Sequence, residues 1–183
     1  MRVIAGSARR VALVAPEGLD TRPTSDRAKE SLFSILGEEI IGARVLDIFC
    51  GSGAIGIEAL SRGAAKVVFV DNAMPAIAAT SANLAKTRLT PKGEVFCMKA
   101  AQAINKLEAE SQRFEIIFID PPYGTELLTG TLENLAHTNL LSDDGLIIAE
   151  TDARERPVIP QMYTLVSTRI YGRTKFLFLY IGE

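Results

Sequence analysis

The chain has few of the residues that build disulfide frameworks and metal centres. Its 183 residues include two cysteines, one histidine and no tryptophan. Cys50 and Cys97 belong to no C-x-x-C or Cys/His cluster, which argues against structural zinc and against a disulfide scaffold. His137 lies in a helix-like stretch with no second ligand nearby, so a residue at a helix end is the simpler interpretation. We therefore expect no metal site.

Long apolar runs are also absent. No segment reaches the ~18 residues that a membrane-spanning helix needs, and the first ten residues lack the apolar stretch of a signal peptide. A cytoplasmic protein is therefore expected. Hydrophobic residues make up 48% of the chain and charged residues 23%, which is typical of a globular protein with a substantial core. The length predicts one domain, or one domain with a small appendage.

An excess of positive charge is missing overall, because the net charge is −2. Basic residues are nevertheless concentrated near the N-terminus, where residues 1–15 contain no acidic residue. Electrostatic attraction acts over a Debye length of roughly 8 Å at physiological salt, so a local patch can bind phosphates on an acidic protein. Until another motif implies a partner, a solvated surface is an equally good interpretation. The basic residues of this region are Arg2, Arg9, Arg10, Arg22, Arg27 and Lys29.

The first 37 residues have the pattern of an extension to a larger domain. The segment "RVIAGSARRVALVAP" alternates apolar and polar residues around "GSAR", which predicts a short hairpin at the domain edge. The segment "RPTSDRAKESLFSIL" predicts a helix with Thr24 as its N-cap and Gly37 at its end. We therefore predict a hairpin-and-helix extension over residues 1–37 and a main domain over residues 38–183.

From Arg44 onward, short apolar runs alternate with helical patterns. The runs "RVLDIF", "KVVFVD", "EVFCMK", "FEIIFID" and "GLIIAE" are nearly continuous in Val, Ile and Phe, which is typical of parallel strands covered on both faces. The last segment, "TLVSTRIYGRTKFLFLYI", predicts two strands that add an antiparallel member. The predicted fold is a doubly wound, Rossmann-like α/β domain whose seven-stranded sheet is mostly parallel with one antiparallel strand.

A glycine turn follows the first of these strands. Gly51, Gly53 and Gly56 have the G-x-G-x-x-G spacing of a dinucleotide site, but no Lys or Arg lies between residues 45 and 61. Asp47 precedes the turn. Asp71 and Asp120 end two other strands, and parallel strands bring these ends to a common edge. The resulting acidic crevice disfavours a pyrophosphate.

The same crevice favours S-adenosylmethionine, which carries a sulfonium and an ammonium against one carboxylate. In this interpretation Gly51 and Gly53 let the backbone approach the methionine end of the cofactor. Asp47 faces the ammonium, directly or through water, and Asp71 accepts hydrogen bonds from the ribose hydroxyls. Gly56 is then a helix-packing residue only.

The segment "FIDPPYG" decides the chemistry. Pro121 and Pro122 have no backbone N–H, so the strand that ends at Asp120 offers acceptors to a donor such as the exocyclic amine of a base. An ordinary strand-to-loop turn is the competing interpretation. Hydrogen bonds to the Asp120 carboxylate and the Pro121 carbonyl would aim the nitrogen lone pair at a methyl group. Tyr123 can stack on the base, and the excess proton leaves to Asp120 or water.

With these motifs the sequence resembles the RsmD-type methyltransferases, which modify a guanine N2 in the 16S ribosomal RNA of the bacterial small subunit. The segments that carry the resemblance are "RVIAGSARR", "RPTSDRAKESLFSIL", "LDIFCGSGAIGIEALSRGA", "VFVDN", "FIDPPY" and "YGRTKFLFLY". The motif "RPTSDR" with "ESLF" narrows the match from class I methyltransferases in general to this family.

The resemblance implies three groups of site residues. The target amine is held by Asp120, Pro121, Pro122 and Tyr123. S-adenosylmethionine is held by Asp47, Phe49, Gly51, Gly53, Asp71, Asn72 and Ala101, with Arg22 and Thr24 of the N-terminal motif covering it. For RNA the resemblance adds Arg27 of the family motif, and with the basic N-terminal patch and the stacking tyrosine the expected contacts are Arg2, Arg9, Arg10, Arg27 and Tyr123. Near the adenine the family often has a polar or acidic residue, whereas this chain has Lys99-Ala100-Ala101-Gln102, so backbone or Gln102 is left to recognise the adenine amine.

Three other functions compete with this interpretation. A DNA adenine-N6 methyltransferase would use the same Asp-Pro-Pro-Tyr motif, although no insert large enough to read a DNA groove is visible. A dinucleotide oxidoreductase would need a Tyr/Lys or His acid–base pair, and none is found. A binding module that lost its chemistry would not be expected to keep Asp120 to Tyr123. The expected partner is therefore 16S rRNA within the small subunit or an assembly intermediate, bound by a monomer.

Overall fold

The computed structural model describes residues 1–18 and 25–182. In this part of the chain one seven-stranded sheet has the strand order β3-β2-β1-β4-β5-β7-β6. The strands are β1 (Arg44–Ile48), β2 (Lys66–Asp71), β3 (Gly93–Cys97), β4 (Phe114–Ile119), β5 (Leu141–Asp152), β6 (Tyr163–Tyr171) and β7 (Thr174–Ile181). The helices are α1 (Asp26–Leu36), α2 (Ala54–Ser61), α3 (Met74–Thr87), α4 (Ala100–Ala109) and α5 (Leu127–Ala136).

The predicted sheet is confirmed. Strands β1 to β5 pair in parallel, and β7 pairs antiparallel with both β5 and β6. Helix α5 is followed by His137 as its C-cap, which confirms the helix-end interpretation of that residue. The chain therefore has the predicted Rossmann-like α/β architecture, with the order of strands reversing between β1 and β4.

The continuous apolar strands are explained by two cores, one on each face of the sheet. Val45, Phe69 and Phe118 belong to one apolar cluster together with side chains of α1, α2 and α3. Their neighbours Leu46 and Ile119 belong to the other, together with side chains of α4 and α5. Because successive strand residues point to opposite faces, both sets must be apolar when helices cover both faces.

The N-terminal hairpin and helix are present as predicted, with one difference at the helix start. In the hairpin, the Val3 N–H donates to the Val11 carbonyl at 3.0 Å. The Ser25 hydroxyl accepts from the Ala28 N–H at 3.1 Å, so the N-cap is Ser25 and the assignment of Thr24 was wrong. A serine beside a threonine offers the same capping chemistry, so sequence alone could not separate the two positions.

The extension packs on the same core as the main domain. Val3 and Leu32 belong to the apolar cluster that contains Val45 of β1. At the hairpin tip Gly6 has φ +82°, and a Cβ there would lie 1.8 Å from the Ser61 carbonyl oxygen at the end of α2. The hairpin is therefore seated directly on α2. The division of the chain at residue 37 stays a prediction.

A buried ion cluster strengthens this contact. The Glu58 carboxylate of α2 accepts from the N–H groups of Ile4 and Ala5 at 2.8 and 3.0 Å. It also pairs with Arg62 at 2.7 Å and with Lys29 of α1 at 3.2 Å. Burial lowers the pKa of Lys29, and the Glu58 carboxylate opposes that shift. The paired charges hold the hairpin, α1 and α2 in one arrangement beside the glycine turn.

Candidate functional site

The glycine turn leaves β1 through three residues in the left-handed region. Phe49, Gly51 and Gly53 have φ of 64°, 55° and 73°, and this conformation favours glycine because other residues clash there. A Cβ at Gly53 would lie 2.9 Å from Thr80 Cγ2, whereas a Cβ at Gly51 would meet open space. The turn therefore presents the Gly51 backbone at an open edge of the sheet.

Gly56 packs against the sheet, as predicted, but packing is not its whole role. A Cβ there would lie 2.3 Å from the Phe69 ring, so α2 can approach β2 only with glycine at this position. Its N–H also donates to Asp47 Oδ2 at 3.0 Å. Since this N–H lies in the first turn of α2, Asp47 satisfies a donor that the helix leaves unpaired.

Two buried polar residues of α3 hold the turn from the side. The Thr80 hydroxyl donates to the Gly51 carbonyl at 2.9 Å. The Asn83 amide donates to the Ser52 and Val14 carbonyls at 2.9 Å and accepts from the Val14 N–H at 2.8 Å. Sequence reasoning missed both residues. The signal was present in the spacing of Thr80, Asn83 and Thr87, which places three polar side chains on one buried face of α3.

Asp71 lies at the open side of the turn. Its two carboxylate oxygens accept from the Gly51 and Ala73 N–H groups at 3.0 and 2.9 Å. The carboxyl is half-buried, and each oxygen has a further lone pair to offer. Asp71 therefore both shapes the turn and presents acceptors at its rim.

Asp47 lies beneath the turn, with only 2% of its surface exposed. Burial raises the pKa of its carboxyl to about 7, the Gly56 N–H opposes that shift, and the Asp71 carboxylate adds to it. A side chain this buried does not face open space at the rim of the turn. The structure gives Asp47 a supporting contact to α2, and its contact with an ammonium group stays a prediction.

The raised pKa of Asp47 has a consequence for stability. A carboxyl with a higher pKa in the folded state than in the unfolded state stabilises the fold when protonated, and this stabilisation is lost as the pH rises from about 4 through about 7. Over this pH interval the free energy of unfolding should fall less in Asp47→Asn than in the parent. The two decreases should differ by on the order of 2–4 kcal/mol. Urea unfolding at pH 5 and pH 8 measures it, and parallel pH profiles for the two proteins would contradict it.

Asp120 directly follows β4, which lies between β1 and β5 in the sheet. Ile48 of β1 pairs with Ile119 of β4, and the Asp120 N–H donates to the Ile48 carbonyl at 3.2 Å. Asp120 therefore comes next to the start of the glycine turn. Burial raises the pKa of Asp120 well above its usual range, and the carboxylates of Glu150 and Asp47 raise it further.

The two proline carbonyls differ. Pro121 is buried, and no described residue donates a hydrogen bond to its carbonyl. Pro122 is exposed, but its carbonyl accepts from the Thr125 hydroxyl at 2.7 Å. The Pro122 carbonyl therefore already has a partner, because the loop turns back on itself three residues later.

Glu150 is a site residue that sequence reasoning missed. Ile119 pairs with Ala149 of β5, so Asp120 and Glu150 come at neighbouring strand positions. Glu150 is 5% exposed, and its Oε1 accepts from the Tyr123 hydroxyl at 2.8 Å and the Thr174 hydroxyl at 3.2 Å. The segment "GLIIAE" carried the signal, because an acid at the end of an apolar strand had already identified Asp71 and Asp120.

The other predicted cofactor residues lie along the same edge. Phe49 follows β1 and packs against the cluster beneath α4 and α5. Asn72 follows β2, and Ala101 lies in the first turn of α4 after β3; both are exposed. The Gln102 amide oxygen accepts from the Lys99 N–H at 3.2 Å. Arg22 and Thr24 fall outside the described residues.

The predicted RNA residues are spread over the extension. Arg9 and Arg10 are exposed in the hairpin turn, and Arg10 has φ 71°. Arg2 pairs with Asp26 at 3.2 Å, which partly neutralises it. Arg27 is exposed in the first turn of α1 and shares a cavity with Tyr123. Arg27 and Tyr123 are thus two predicted RNA contacts that line the same cavity.

Two further features of the described ranges bear on the class of protein. Across residues 1–18 and 25–182, no helix combines the length and apolar character that crossing a bilayer requires. Within the same ranges, no three His, Cys, Asp or Glu side chains are grouped as ligands for a metal ion.

Known proteins resemble this chain over nearly its whole length. The family model described as "Conserved hypothetical protein 95" matches residues 1–180. Ribosomal RNA small subunit methyltransferase D of Escherichia coli (strain K12) is 33% identical over 177 residues, which cover 96% of this chain and 87% of that protein. The chain belongs to the RsmD family of methyltransferases.

Two more comparisons agree with this family. YlbH of Bacillus subtilis (strain 168) is 41% identical over 176 residues, which cover 95% of each protein. The solved structure of yhhF from Escherichia coli has a TM-score of 0.84 and 31% sequence identity, and the match covers 99% of this chain and 97% of that one. The yhhF structure thus has the same fold over nearly the whole of this chain.

Proposed function

We propose that the chain transfers a methyl group from S-adenosylmethionine to the exocyclic N2 amine of a guanine in 16S ribosomal RNA. The observation that carries the proposal is the juxtaposition of the glycine turn with the Asp-Pro-Pro-Tyr segment. β1 and β4 are parallel neighbours in register, so Asp120 comes beside the residues that begin the turn. The name of the Escherichia coli relative supports ribosomal RNA as the substrate class.

The residues at this edge fit S-adenosylmethionine. The Gly51 backbone faces open space, and Asp71 at its rim is an acceptor for hydroxyl groups. Four carboxyl groups lie at the ends of β1, β2, β4 and β5, in Asp47, Asp71, Asp120 and Glu150, and this acidity suits a cation better than a pyrophosphate. When bound, the cofactor supplies an electrophilic methyl group on a sulfonium.

The chain's own residues prepare the amine. The Asp120 carboxylate and the Pro121 carbonyl accept its two N–H bonds, which aims the nitrogen lone pair at the methyl group. Tyr123 stacks on the base, worth roughly 1–3 kcal/mol against the few kcal/mol needed to unstack it. The amine would become cationic on taking the methyl group from sulfur, and Asp120 or water would accept its excess proton.

Glu150 positions Tyr123 and sets the electrostatics around Asp120. Its carboxylate raises the pKa of Asp120, and Asp120 must be ionised to accept from the amine. We therefore expect Glu150→Gln to shift the acidic limb of the pH–rate profile to lower pH, because the repulsive charge is gone. The Gln oxygen can still accept from Tyr123. Single-turnover rates from pH 5 to 9 measure the shift, and an unchanged limb would remove Glu150 from this role.

The substrate assignment is tested by comparing methyl incorporation into free 16S rRNA, small ribosomal subunits and naked DNA. The expected product is a single N2-methylguanine, identified by mass spectrometry, with small subunits or an assembly intermediate as the better substrate. Labelling of DNA alone would favour the adenine-N6 alternative instead. Calorimetry that showed binding of a reduced nicotinamide cofactor and none of S-adenosylmethionine would favour an oxidoreductase. Ribosomal RNA from cells lacking the gene should lack one N2-methylguanine.

A further inference from the structure

A cavity of about 410 Å³ lies between the start of α1 and the turn that joins β6 to β7. Its lining includes Arg27 of α1, Tyr123 of the Asp-Pro-Pro-Tyr segment, and Tyr171, Arg173 and Thr174 of the turn. This volume is within the range of roughly 300–1,000 Å³ that small-molecule pockets occupy. The cavity is therefore large enough for one nucleotide, and Tyr123 connects it to the site of the target amine.

The charge of this cavity is opposite to that of the cofactor crevice. Two arginines and no acidic side chain are among the described residues that line it, and Asp152, which is not part of the lining, partly neutralises one of them. Carboxyl groups, in contrast, gather at the ends of β1, β2, β4 and β5. A phosphate would be repelled by the crevice and attracted by the cavity. The acidic crevice thus suits the base of a nucleotide, and the cavity suits its phosphate.

Arg173 is held in place by a buried carboxylate. Its Nε and Nη2 lie 3.2 and 3.1 Å from Asp152 Oδ2, and the Asp152 side chain is 5% exposed while that of Arg173 is 60% exposed. Hydrogen bonds, first from Arg154 and then from Arg173, hold the pKa of Asp152 well below its usual range. The remaining guanidinium donors of Arg173 are thereby presented to solvent in a restricted orientation, as a phosphate ligand requires.

The β6–β7 turn is also tied to the target-amine site. Thr174 and Tyr123 donate to the same oxygen of Glu150, at 3.2 and 2.8 Å. Glu150 therefore links the β6–β7 turn to Tyr123. A nucleotide bound at the turn would have its base next to the Tyr123 ring.

We propose that this cavity binds the sugar–phosphate backbone of the target nucleotide, with Arg27 and Arg173 as phosphate ligands and Tyr171 against the adjoining base. The proposal rests on the function proposed above and adds the β6–β7 turn to the RNA-binding surface. It makes Arg173 a substrate-binding residue that takes no part in holding the methyl donor.

The test compares Arg27→Ala, Arg173→Ala and Arg173→Lys with Arg113→Ala. Arg113 is a matched control, because it is exposed and paired with a carboxylate, that of Asp143. It directly precedes β4, whereas Asp120 follows the other end of that strand. With small ribosomal subunits as substrate, we expect KM to rise about 10-fold for each Ala variant at Arg27 or Arg173. The Lys variant should fall in between, because it keeps the charge but loses the planar fork.

Two further measurements separate phosphate binding from a general loss of structure. The slope of log affinity for RNA against log salt should fall by about 0.7–0.9 for each phosphate contact removed. Affinity for S-adenosylmethionine should stay at the parental value in all variants, and the urea midpoint should stay there in Arg27→Ala. Arg173→Ala is expected to lower the urea midpoint, because the buried Asp152 carboxylate keeps only Arg154 as a partner. If the parent methylates ribosomal RNA and the Arg27 and Arg173 variants have the same KM as Arg113→Ala, the cavity proposal is wrong and the proposed function still stands. A parent that methylates no ribosomal RNA would overturn the proposed function and the cavity proposal with it.

Discussion

Asp120→Asn is expected to slow methyl transfer by about 10²–10⁴-fold, while affinity for S-adenosylmethionine stays within about threefold of the parental value. The substitution keeps one oxygen that can accept from the amine but removes the negative charge, so the remaining hydrogen bond is weaker. It also removes the group that can take the proton. Because Asp120 belongs to the β4 end and not to the glycine turn, the contacts that hold Gly51 and Asp71 are unchanged.

The measurement is a single-turnover rate with small ribosomal subunits, together with calorimetric titration of the cofactor. Asp144→Asn is a matched control, because Asp144 is exposed near the opposite end of β5 and should leave both values unchanged. Parental rates in Asp120→Asn would exclude Asp120 from the mechanism. Equal loss of rate and cofactor affinity would mean that Asp120 acts by supporting the cofactor site.

Asp71→Ala is expected to weaken S-adenosylmethionine binding by about 100-fold or more. Hydrogen bonds to a charged group contribute about 1.5–3 kcal/mol each, and Asp71 is proposed to accept from the ribose hydroxyls. The substitution also removes the acceptors of the Gly51 and Ala73 N–H groups, so the shape of the turn is lost as well. The affinity for RNA, which rests on other residues, should stay at the parental value.

Calorimetry of the cofactor and anisotropy of labelled RNA give the two affinities. Asp71→Asn separates the two roles of the carboxylate, because it retains one acceptor for a backbone N–H and loses the charge; an intermediate affinity is expected. If Asp71→Ala bound the cofactor as tightly as the parent, the proposed ribose contact would be wrong. If it lost RNA binding to the same degree, the glycine turn and the RNA surface would not be independent.

The sequence by itself determined the class of fold and the two motifs of the site. Near-continuous apolar strands require helices on both faces, and this requirement is visible in each strand separately. The left-handed turn at Gly51 and Gly53 depends on local backbone sterics. The missing N–H groups of Pro121 and Pro122 are a property of those residues themselves. Each of these features depends on a short segment, so it could be predicted without the rest of the chain.

Only the tertiary structure decided which of the acidic residues are buried and what they contact. Asp47 lies under α2 and accepts from Gly56, Glu150 meets Tyr123, and Arg173 is held by Asp152. These pairs are separated by between 9 and 27 residues. The first forms because α2 packs against β1, and the other two form because β5 lies between β4 and β7. The order of the strands depends on how all of them pack together, so it cannot be predicted from any single segment.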